Sequence, residues 1–349
     1  MSLIEHVIGR QSDTQRFDSF LADWESILGR RVDQAVRAIA AVPGVYGLVL
    51  AGSLGRAEPW PLSDIDLLPI YEDDRAAEAQ AAIDGLRRKL LEQWADEGWW
   101  TGLDIGSLVF GCAEVESIVR HQERKVLDVL RDDRWYHSVD KGCRGRAAYD
   151  PYGLAAALAR WLTDQRFSAS VVNLRLQRAQ SEIEKGLLDF RVVSENGDVL
   201  EATRTLRLLV KWLQTRLLEK WGERDNSFGR VGTRFERIAM TRGESSLMDA
   251  LHVATDLDDD SVRQRMALAP DWVWERHDRS WRARRHIGEE VTQLQDARDV
   301  LRVCTQYAMR SVSPSPYPSW LAIPAHVESL NDKAVHLTTV AHLSLADTA

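Results

Sequence analysis

The sequence predicts an α+β fold, in which a small mixed β-sheet is followed by a bundle of α-helices. Two observations lead to this class. Two short apolar runs, 45–51 and 64–70, lie close together between longer stretches of helical periodicity, as short buried strands do. After residue 153 the strand signals become few, and apolar residues recur at intervals of three and four, as in packed helices. We therefore expect a first domain over 1–152 and a helical domain over 153–349.

The composition is that of a globular protein that we expect in the cytoplasm. No apolar run approaches the length of a membrane span, and the N-terminus lacks the apolar core of a secretion signal. The three cysteines, Cys112, Cys143 and Cys304, lie far apart and suggest neither disulfides nor a zinc site. The net charge of −8 argues against nucleic acid as a partner and suits a cationic small molecule or a protein. The oligomeric state stays open.

The elements of the first domain are expected in the following order. Apolar spacing predicts one amphipathic helix over 13–42, which Pro43-Gly44 ends. The first strand covers 45–51 and the second covers 64–70. Regular pairing of the second strand should end or bulge at Pro69, which has no N–H to donate. Beyond them we expect a helix, a third strand and another helix over 74–96, 99–110 and 114–131.

The second half of the chain carries long apolar stripes at helical spacing. They lie within residues 172–190, 206–217 and 291–307. The run Ser313-Pro314-Ser315-Pro316-Tyr317-Pro318 is typical of a stiff connector. These stripes predict a bundle of antiparallel helices.

The segment joining the first two strands carries the candidate chemistry. Gly52-Ser53 follows the first strand, and Asp64 and Asp66 open the second after ten intervening residues. Gly52 allows a tight turn close to a ligand, and Ser53 with the following amides can donate hydrogen bonds to phosphate. Asp64 and Asp66 should project from one face of the strand, where they suit Mg²⁺, which favours few carboxylates plus substrate phosphates. The alternative is a surface turn followed by a capping and a solvated aspartate.

A known family carries the same pattern. Gly52-Ser53-Leu54-Gly55-Arg56-Ala57-Glu58 with Ser63-Asp64-Ile65-Asp66-Leu67 resembles the active-site signature of the DNA polymerase β-like nucleotidyltransferase superfamily. The similarity is greatest to its bacterial small-molecule and protein nucleotidylyltransferases. The resemblance implies that residues 1–152 form a nucleotidyltransferase domain. It also implies that Asp64 and Asp66 bind metal and that the Gly-Ser turn holds a nucleoside triphosphate.

The resemblance further implies a third carboxylate on a later strand of the same sheet. Asp104, within Gly102-Leu103-Asp104-Ile105-Gly106, is the candidate, and Glu114 and Glu116 are the alternatives. Two Mg²⁺ ions are expected as cofactors, and two aspartates alone seldom hold both ions, so a third carboxylate is needed. The alternative interpretation of Asp104 is a turn residue beside a glycine.

The triphosphate also needs cations and hydrogen-bond donors. We expect Gly52, Ser53, Arg56 and Ser63 to contact the nucleotide, with Arg56 directly after the turn as the first candidate cation. Arg230 and Arg234, in a loop of the helical half, are second candidates. The basic segment 141–146 either meets the triphosphate or is simply solvated.

The expected function is Mg²⁺-dependent transfer of a nucleoside monophosphate, AMP from ATP in the first instance, with release of pyrophosphate. The acceptor would be a hydroxyl of a small molecule such as an aminoglycoside-like antibiotic, because the acidic balance suits a cation. We expect the helical domain over 153–349 to bind it. One alternative is an adenylyl- or uridylyltransferase that modifies a protein, as in regulatory or toxin–antitoxin systems, which the Gly-Arg-Ala-Glu continuation favours. Another is a non-catalytic nucleotide-binding module on the same fold, against which the intact Asp64/Asp66 pair argues.

Overall fold

The fold is described by a computed structural model covering residues 14–99, 101–105, 110–121, 124–223, 229–310 and 318–346. The chain divides into two compact units, Met1–Val172 and Asn173–Ala349. A small mixed sheet lies in the first unit, and helices make up the described part of the second. The predicted α+β class is therefore confirmed. No helix among the described residues is long and apolar enough to cross a membrane.

The described residues of the first unit form five short strands and a series of helices. Its strands are β1 (Val45–Ala51), β2 (Ile65–Tyr71), β3 (Leu103–Asp104), β4 (Phe110–Gly111) and β5 (Arg146–Tyr149). Its helices are α1 (Thr14–Ala22), α2 (Trp24–Ala40), α3 (Gly52–Gly55), α4 (Ala76–Asp96), α5 (Cys112–Val119), α6 (Val126–Val129), α7 (Asp133–Lys141) and α8 (Leu154–Phe167). The chain then enters α9 (Ala169–Glu195), and the division between the units falls within this helix.

The sheet has the strand order β3-β2-β1-β5, and β4 pairs with β2 further along the same edge as β3. β1 is antiparallel to β2 and to β5, whereas β2 is parallel to β3 and β4. Consecutive residues Leu48, Val49 and Leu50 of β1 are all buried, so both faces of this central strand are covered. The apolar side chains of α2 and α4 share one core with β1 and β2. This core fixes the ends of the two central strands, where the candidate site lies.

The predicted N-terminal helix is interrupted. The sequence predicts one helix over 13–42, but in the described part α1 ends at Ala22 and α2 begins at Trp24. Asp23 between them has a φ of −134°, outside the helical range. Both Phe20 and Trp24 are buried, so the apolar face continues across the break. Apolar spacing therefore predicted the buried face correctly and could not show the break in the backbone.

The predicted interruption at Pro69 is also wrong. β2 continues through Pro69 to Tyr71, and Pro69 lies opposite Leu48 of β1. The irregularity occurs instead in β1, where the register shifts between Val45 and Gly47. The pairing therefore runs through the proline, and the register shift follows it on the neighbouring strand.

Two other predicted elements are divided. In place of the third strand expected over 99–110, the described residues form the two short strands β3 and β4. Residues 100 and 106–109 lie outside the described part. The helix expected over 114–131 is divided into α5 and α6. The helix expected over 74–96 is confirmed as α4.

The first unit extends past the predicted domain boundary between residues 152 and 153. The Asp150 carboxylate accepts hydrogen bonds from the backbone N–H groups of Ala155 and Ala156 and so fixes the start of α8. A Cβ atom at Gly47 of β1 would lie 3.3 Å from that of Ala155, so α8 packs closely on the sheet. The division at Val172 follows from this packing. That the two parts of the chain have separate catalytic and acceptor-binding roles stays a prediction.

The second unit contains helices packed around two apolar clusters. They are the greater part of α9, α10 (Val199–Lys220), α11 (Val231–Thr241), α12 (Ser245–Thr255), α13 (Asp259–Ala267), α14 (Asp271–His286), α15 (Gln293–Ala308), a 3₁₀ turn at Ser319–Leu321 and α16 (Val327–Ala346). The stripes seen in the sequence fall on α9, α10 and α15, as predicted.

A buried charge network ties three of these helices together. Arg284 of α14 donates to Asp299 of α15 at 2.8 Å and lies 3.1 Å from Asp296 on the same helix. Asp299 also accepts hydrogen bonds from the backbone N–H groups of Gly232 and Thr233, in the first turn of α11. Arg284, Asp296 and Asp299 are at most 1% exposed. Asp299 therefore neutralises a buried guanidinium and satisfies a helix N-terminus at once.

We predict that Asp299→Ala lowers the free energy of unfolding by about 3–5 kcal/mol, because it leaves the Arg284 charge buried without this partner. The measurement is a urea titration followed by circular dichroism. Asp260→Ala is the matched control, because that carboxylate is 96% exposed, and it should change the free energy of unfolding by less than about 0.5 kcal/mol. Equal effects from the two substitutions would contradict a stabilising role for the network.

Candidate active site

The Gly-Ser turn lies directly at the end of β1. α3 begins at Gly52, which has a φ of +61°, in the region that favours glycine. A Cβ atom at this position would overlap the carboxylate oxygen Oδ2 of Asp66. Gly52 therefore has two reasons to be glycine, its backbone conformation and the close approach of an aspartate.

The loop between the two halves of the motif is closed by its serines. The hydroxyl of Ser53 donates to Oγ of Ser63 at 2.9 Å, and the backbone N–H of Trp60 donates to the same oxygen at 3.0 Å. Ser63 is buried, so its hydroxyl holds the turn against the start of β2. The predicted nucleotide contacts of Ser53 and Ser63 stay predictions, and the structural role of Ser63 is one that the sequence did not suggest.

Asp64 and Asp66 stand at the start of β2 but in different surroundings. Asp64 precedes the strand and is exposed, and its carboxylate lies against Gly102, where a Cβ atom would overlap Oδ1. Asp66 lies opposite Ala51 in β1 and is half-buried. The backbone N–H of Ile65 donates to the carbonyl of Gly102 at 2.8 Å and so joins β2 to the segment before β3.

Asp104 lies beside Asp66 on the neighbouring strand. The two residues are direct partners in the parallel pairing of β2 with β3. The ammonium of Lys141, the last residue of α7, lies between their carboxylates, 3.2 Å from Oδ1 of Asp66 and 2.6 Å from Oδ2 of Asp104. The structure thus places Asp104 on a later strand of the same sheet, where the resemblance implies a third carboxylate, and adds a cation to the pair.

The charges of this cluster affect one another. Burial raises the pKa of Asp66 above its usual range, and the neighbouring Asp104 charge acts in the same direction, whereas Lys141 and Arg56 oppose the shift. Burial lowers the pKa of Lys141, but its attraction to Asp66 and Asp104 outweighs this effect and the net shift is upward. A cation near Asp66 therefore offsets the burial of its carboxylate.

Arg56 and the basic loop after Lys141 also lie near the turn. The guanidinium of Arg56 is 3.5 Å from the carboxylate of Glu58. Its positive charge also acts to lower the pKa of Asp66. A Cβ atom at Gly55 would lie 3.2 Å from Cα of Gly145, so the loop packs behind the Gly-Ser turn. The sequence left open whether segment 141–146 is solvated. The structure places Lys141 at the aspartates and Gly145 against the turn.

The alternative candidates from the sequence are engaged elsewhere. Glu114 accepts hydrogen bonds from Arg134 and from the indole N–H of Trp135. Glu116 pairs with Arg120 on its own helix, at 2.9 Å. These contacts favour Asp104 over both glutamates as the partner of Asp66.

The second-choice cations lie in the second unit and also have acidic partners. Arg230 is 3.2 Å from a carboxylate oxygen of Glu289, and Arg234 is 2.9 Å from one of Glu223. Neither pair involves a residue of the Gly-Ser motif.

The donor set fits a divalent cation. Asp66 and Asp104 offer hard carboxylate oxygens around a position that a cation, the ammonium of Lys141, already takes. Within the described ranges no group of three His, Cys, Asp or Glu side chains is already arranged to hold a metal. Mg²⁺ needs only one or two carboxylates when substrate phosphates supply further oxygens. The assignment of Asp64, Asp66 and Asp104 as metal ligands stays a prediction.

Comparison with known proteins agrees with the resemblance. Residues 1–99 match the family described as "Putative nucleotidyltransferase DUF294". The chain is also similar to proteins of Burkholderia mallei (strain SAVP1) and Burkholderia pseudomallei (strain K96243) named "Bifunctional uridylyltransferase/uridylyl-removing enzyme", with 34% identity over 85 residues in each case. The similarity covers 24% of this chain, which spans about a tenth of the length of these relatives (9%). The expected superfamily is therefore confirmed for the N-terminal part of the chain.

We predict that Gly52→Ala lowers the free energy of unfolding by about 1–3 kcal/mol, since alanine is strained at positive φ and its Cβ displaces the Asp66 carboxylate. Gly85→Ala is the matched control. No atom lies within 4 Å of a Cβ at this position in α4, so alanine should stabilise the helix by about 0.5–1 kcal/mol. Chemical denaturation of the two variants beside the parent measures both effects, and a neutral Gly52→Ala would contradict the close approach.

Proposed function

We propose, from the nucleotidyltransferase domain in the N-terminal part of the chain, that this protein transfers a nucleoside monophosphate from a nucleoside triphosphate to an acceptor hydroxyl. The observation that carries the proposal is the meeting of three features at one end of the sheet. They are the Gly52-Ser53 turn, the paired carboxylates of Asp66 and Asp104, and the cation between them.

The proposed transfer needs no reactant besides the nucleoside triphosphate and the acceptor. The acceptor oxygen forms a bond to the α-phosphorus, the bond from that phosphorus to the bridging oxygen breaks, and pyrophosphate leaves. The hydroxyl proton passes to Asp104, the more exposed carboxylate of the pair, or to water. Mg²⁺ held by Asp64, Asp66 and Asp104 would lower the pKa of the acceptor hydroxyl and neutralise the leaving pyrophosphate.

The residues of the chain mainly bind and orient the reactants. Gly52 lets the backbone come close to the triphosphate, and the N–H groups that open α3 donate to its oxygens. Arg56 adds a positive charge beside the turn, and Ser63 holds the turn in place through its hydroxyl. This arrangement favours a reaction whose acceleration comes chiefly from positioning and charge stabilisation.

Two versions of the donor and acceptor are proposed. The first is AMP from ATP, delivered to a cationic small molecule such as an aminoglycoside-like antibiotic, which the net charge of −8 suits. The second is UMP from UTP, delivered to a protein hydroxyl. Its uridylyl donor is favoured by the name of the relatives, which describes them as uridylyltransferases. In both versions the helical part of the chain selects the acceptor.

The deciding experiment supplies ATP, UTP, CTP and GTP separately, each with and without Mg²⁺, to the full chain. Acceptor panels contain cationic small molecules in one arm and a protein extract in the other. Pyrophosphate release and mass spectrometry of the acceptors identify the donor and the product. Nucleotide binding without pyrophosphate release or acceptor modification in any arm would favour the non-catalytic module instead.

We predict that Asp64→Asn and Asp66→Asn each reduce pyrophosphate release on the order of 100-fold or more, because each removes a charge that supports the transition state by several kcal/mol. The melting temperature should change little, since asparagine keeps the shape and burial already disfavours the charge of Asp66. Asp74→Asn is the control, an exposed position beyond the opposite end of β2. Turnover close to that of this control in both variants would exclude the assigned roles.

A further inference from the structure

Lys141 is held at the paired aspartates by the fold around it. It ends α7, and the side chain is only 19% exposed. A Cβ atom at the next residue, Gly142, would overlap Leu162 of α8, so the backbone here packs tightly on its neighbour. The anchored backbone keeps the ammonium within reach of both carboxylates. A lysine on a solvated helix face would not be held against two particular carboxylates in this way.

The ammonium of Lys141 and a divalent cation bound to Asp66 and Asp104 would occupy the same position. Lys141 contacts one oxygen of Asp66 and one of Asp104, two of the three carboxylates that the proposed function assigns to a metal ion. A doubly charged ion there would repel the ammonium at a separation of a few ångströms. The lysine stem is flexible and its three donors rotate freely, so its charge can be withdrawn without moving the helix.

We propose that Lys141 is a placeholder cation, which neutralises Asp66 and Asp104 in the metal-free protein and must withdraw before a divalent cation binds. The inference rests on the proposed function only for the place of the metal. Its consequence is weak binding of free metal, so that the metal enters together with the triphosphate, whose charge then attracts the withdrawn ammonium. Lys141 is thus a positioning residue that sets the order of binding.

The first test measures Mn²⁺ binding without nucleotide or acceptor, from the electron paramagnetic resonance signal of free Mn²⁺. Lys141→Met should bind Mn²⁺ on the order of tenfold more tightly than the parent, if the withdrawn state is about a tenth of the population. Lys141→Arg retains the charge and should bind as weakly as the parent. Lys89→Met, on an exposed part of α4, is the control and should leave the affinity unchanged.

Melting temperatures provide a second readout. In EDTA, Lys141→Met should melt about 2–4 °C below the parent, because two neighbouring carboxylates lose their cation. Saturating Mn²⁺ should remove this difference. A permanent structural ion pair would instead give a lower melting temperature that Mn²⁺ does not restore, together with unchanged or weaker Mn²⁺ affinity, and that result would overturn the proposal.

A third measurement uses the parent protein, so it does not depend on the folding of a variant. An amine-acylating reagent should label Lys141 slowly in EDTA and at least several-fold faster with Mn²⁺, while Lys89 is labelled equally in both, as read by peptide mass spectrometry. Equal labelling of Lys141 in both conditions would contradict the exchange. Because no assay contains triphosphate or acceptor, failure of the proposed transfer reaction and failure of this inference are seen separately.

Discussion

The parallel pairing of Asp66 with Asp104 is the constraint on which the candidate site depends. Backbone register places two carboxylates side by side, and burial of Asp66 makes their charge costly without a cation. Lys141 supplies that cation from the end of α7, and Arg56 adds a second positive charge nearby. The packing of β2, β3 and α7 therefore brings two carboxylates together with the cation that they need.

Glycines make this convergence sterically possible. Gly52 leaves room for the carboxylate of Asp66, and Gly102 leaves room for that of Asp64. Gly55 and Gly145 let the loop after Lys141 pack against the turn, so the turn and the lysine belong to one packed arrangement. At each of these four glycines, a carboxylate or main-chain atom occupies the space that a side chain would need.

The two units use charged groups in contrasting ways. In the second unit Arg284 and Asp299 are fully buried, and Asp299 also accepts hydrogen bonds from backbone N–H groups at the start of α11. Losing one partner there leaves the other charge buried with fewer compensating contacts, which is costly. In the first unit the Asp104 side chain is 55% exposed, and the cation is carried on a flexible stem. The former arrangement suits permanent stabilisation, and the latter suits exchange with a ligand.

The sequence by itself determined the α+β class, the bounds of β1, the position of α4 and the presence of a turn at Gly52-Ser53. Each depends on local periodicity or on a motif within about twenty residues, which a single sequence displays directly. Only the tertiary structure decided that α8 packs on the sheet, that Asp104 adjoins Asp66, and that Lys141 lies between them. Asp104 and Lys141 are 37 residues apart, and their meeting depends on strand pairing and helix packing, which no local pattern specifies.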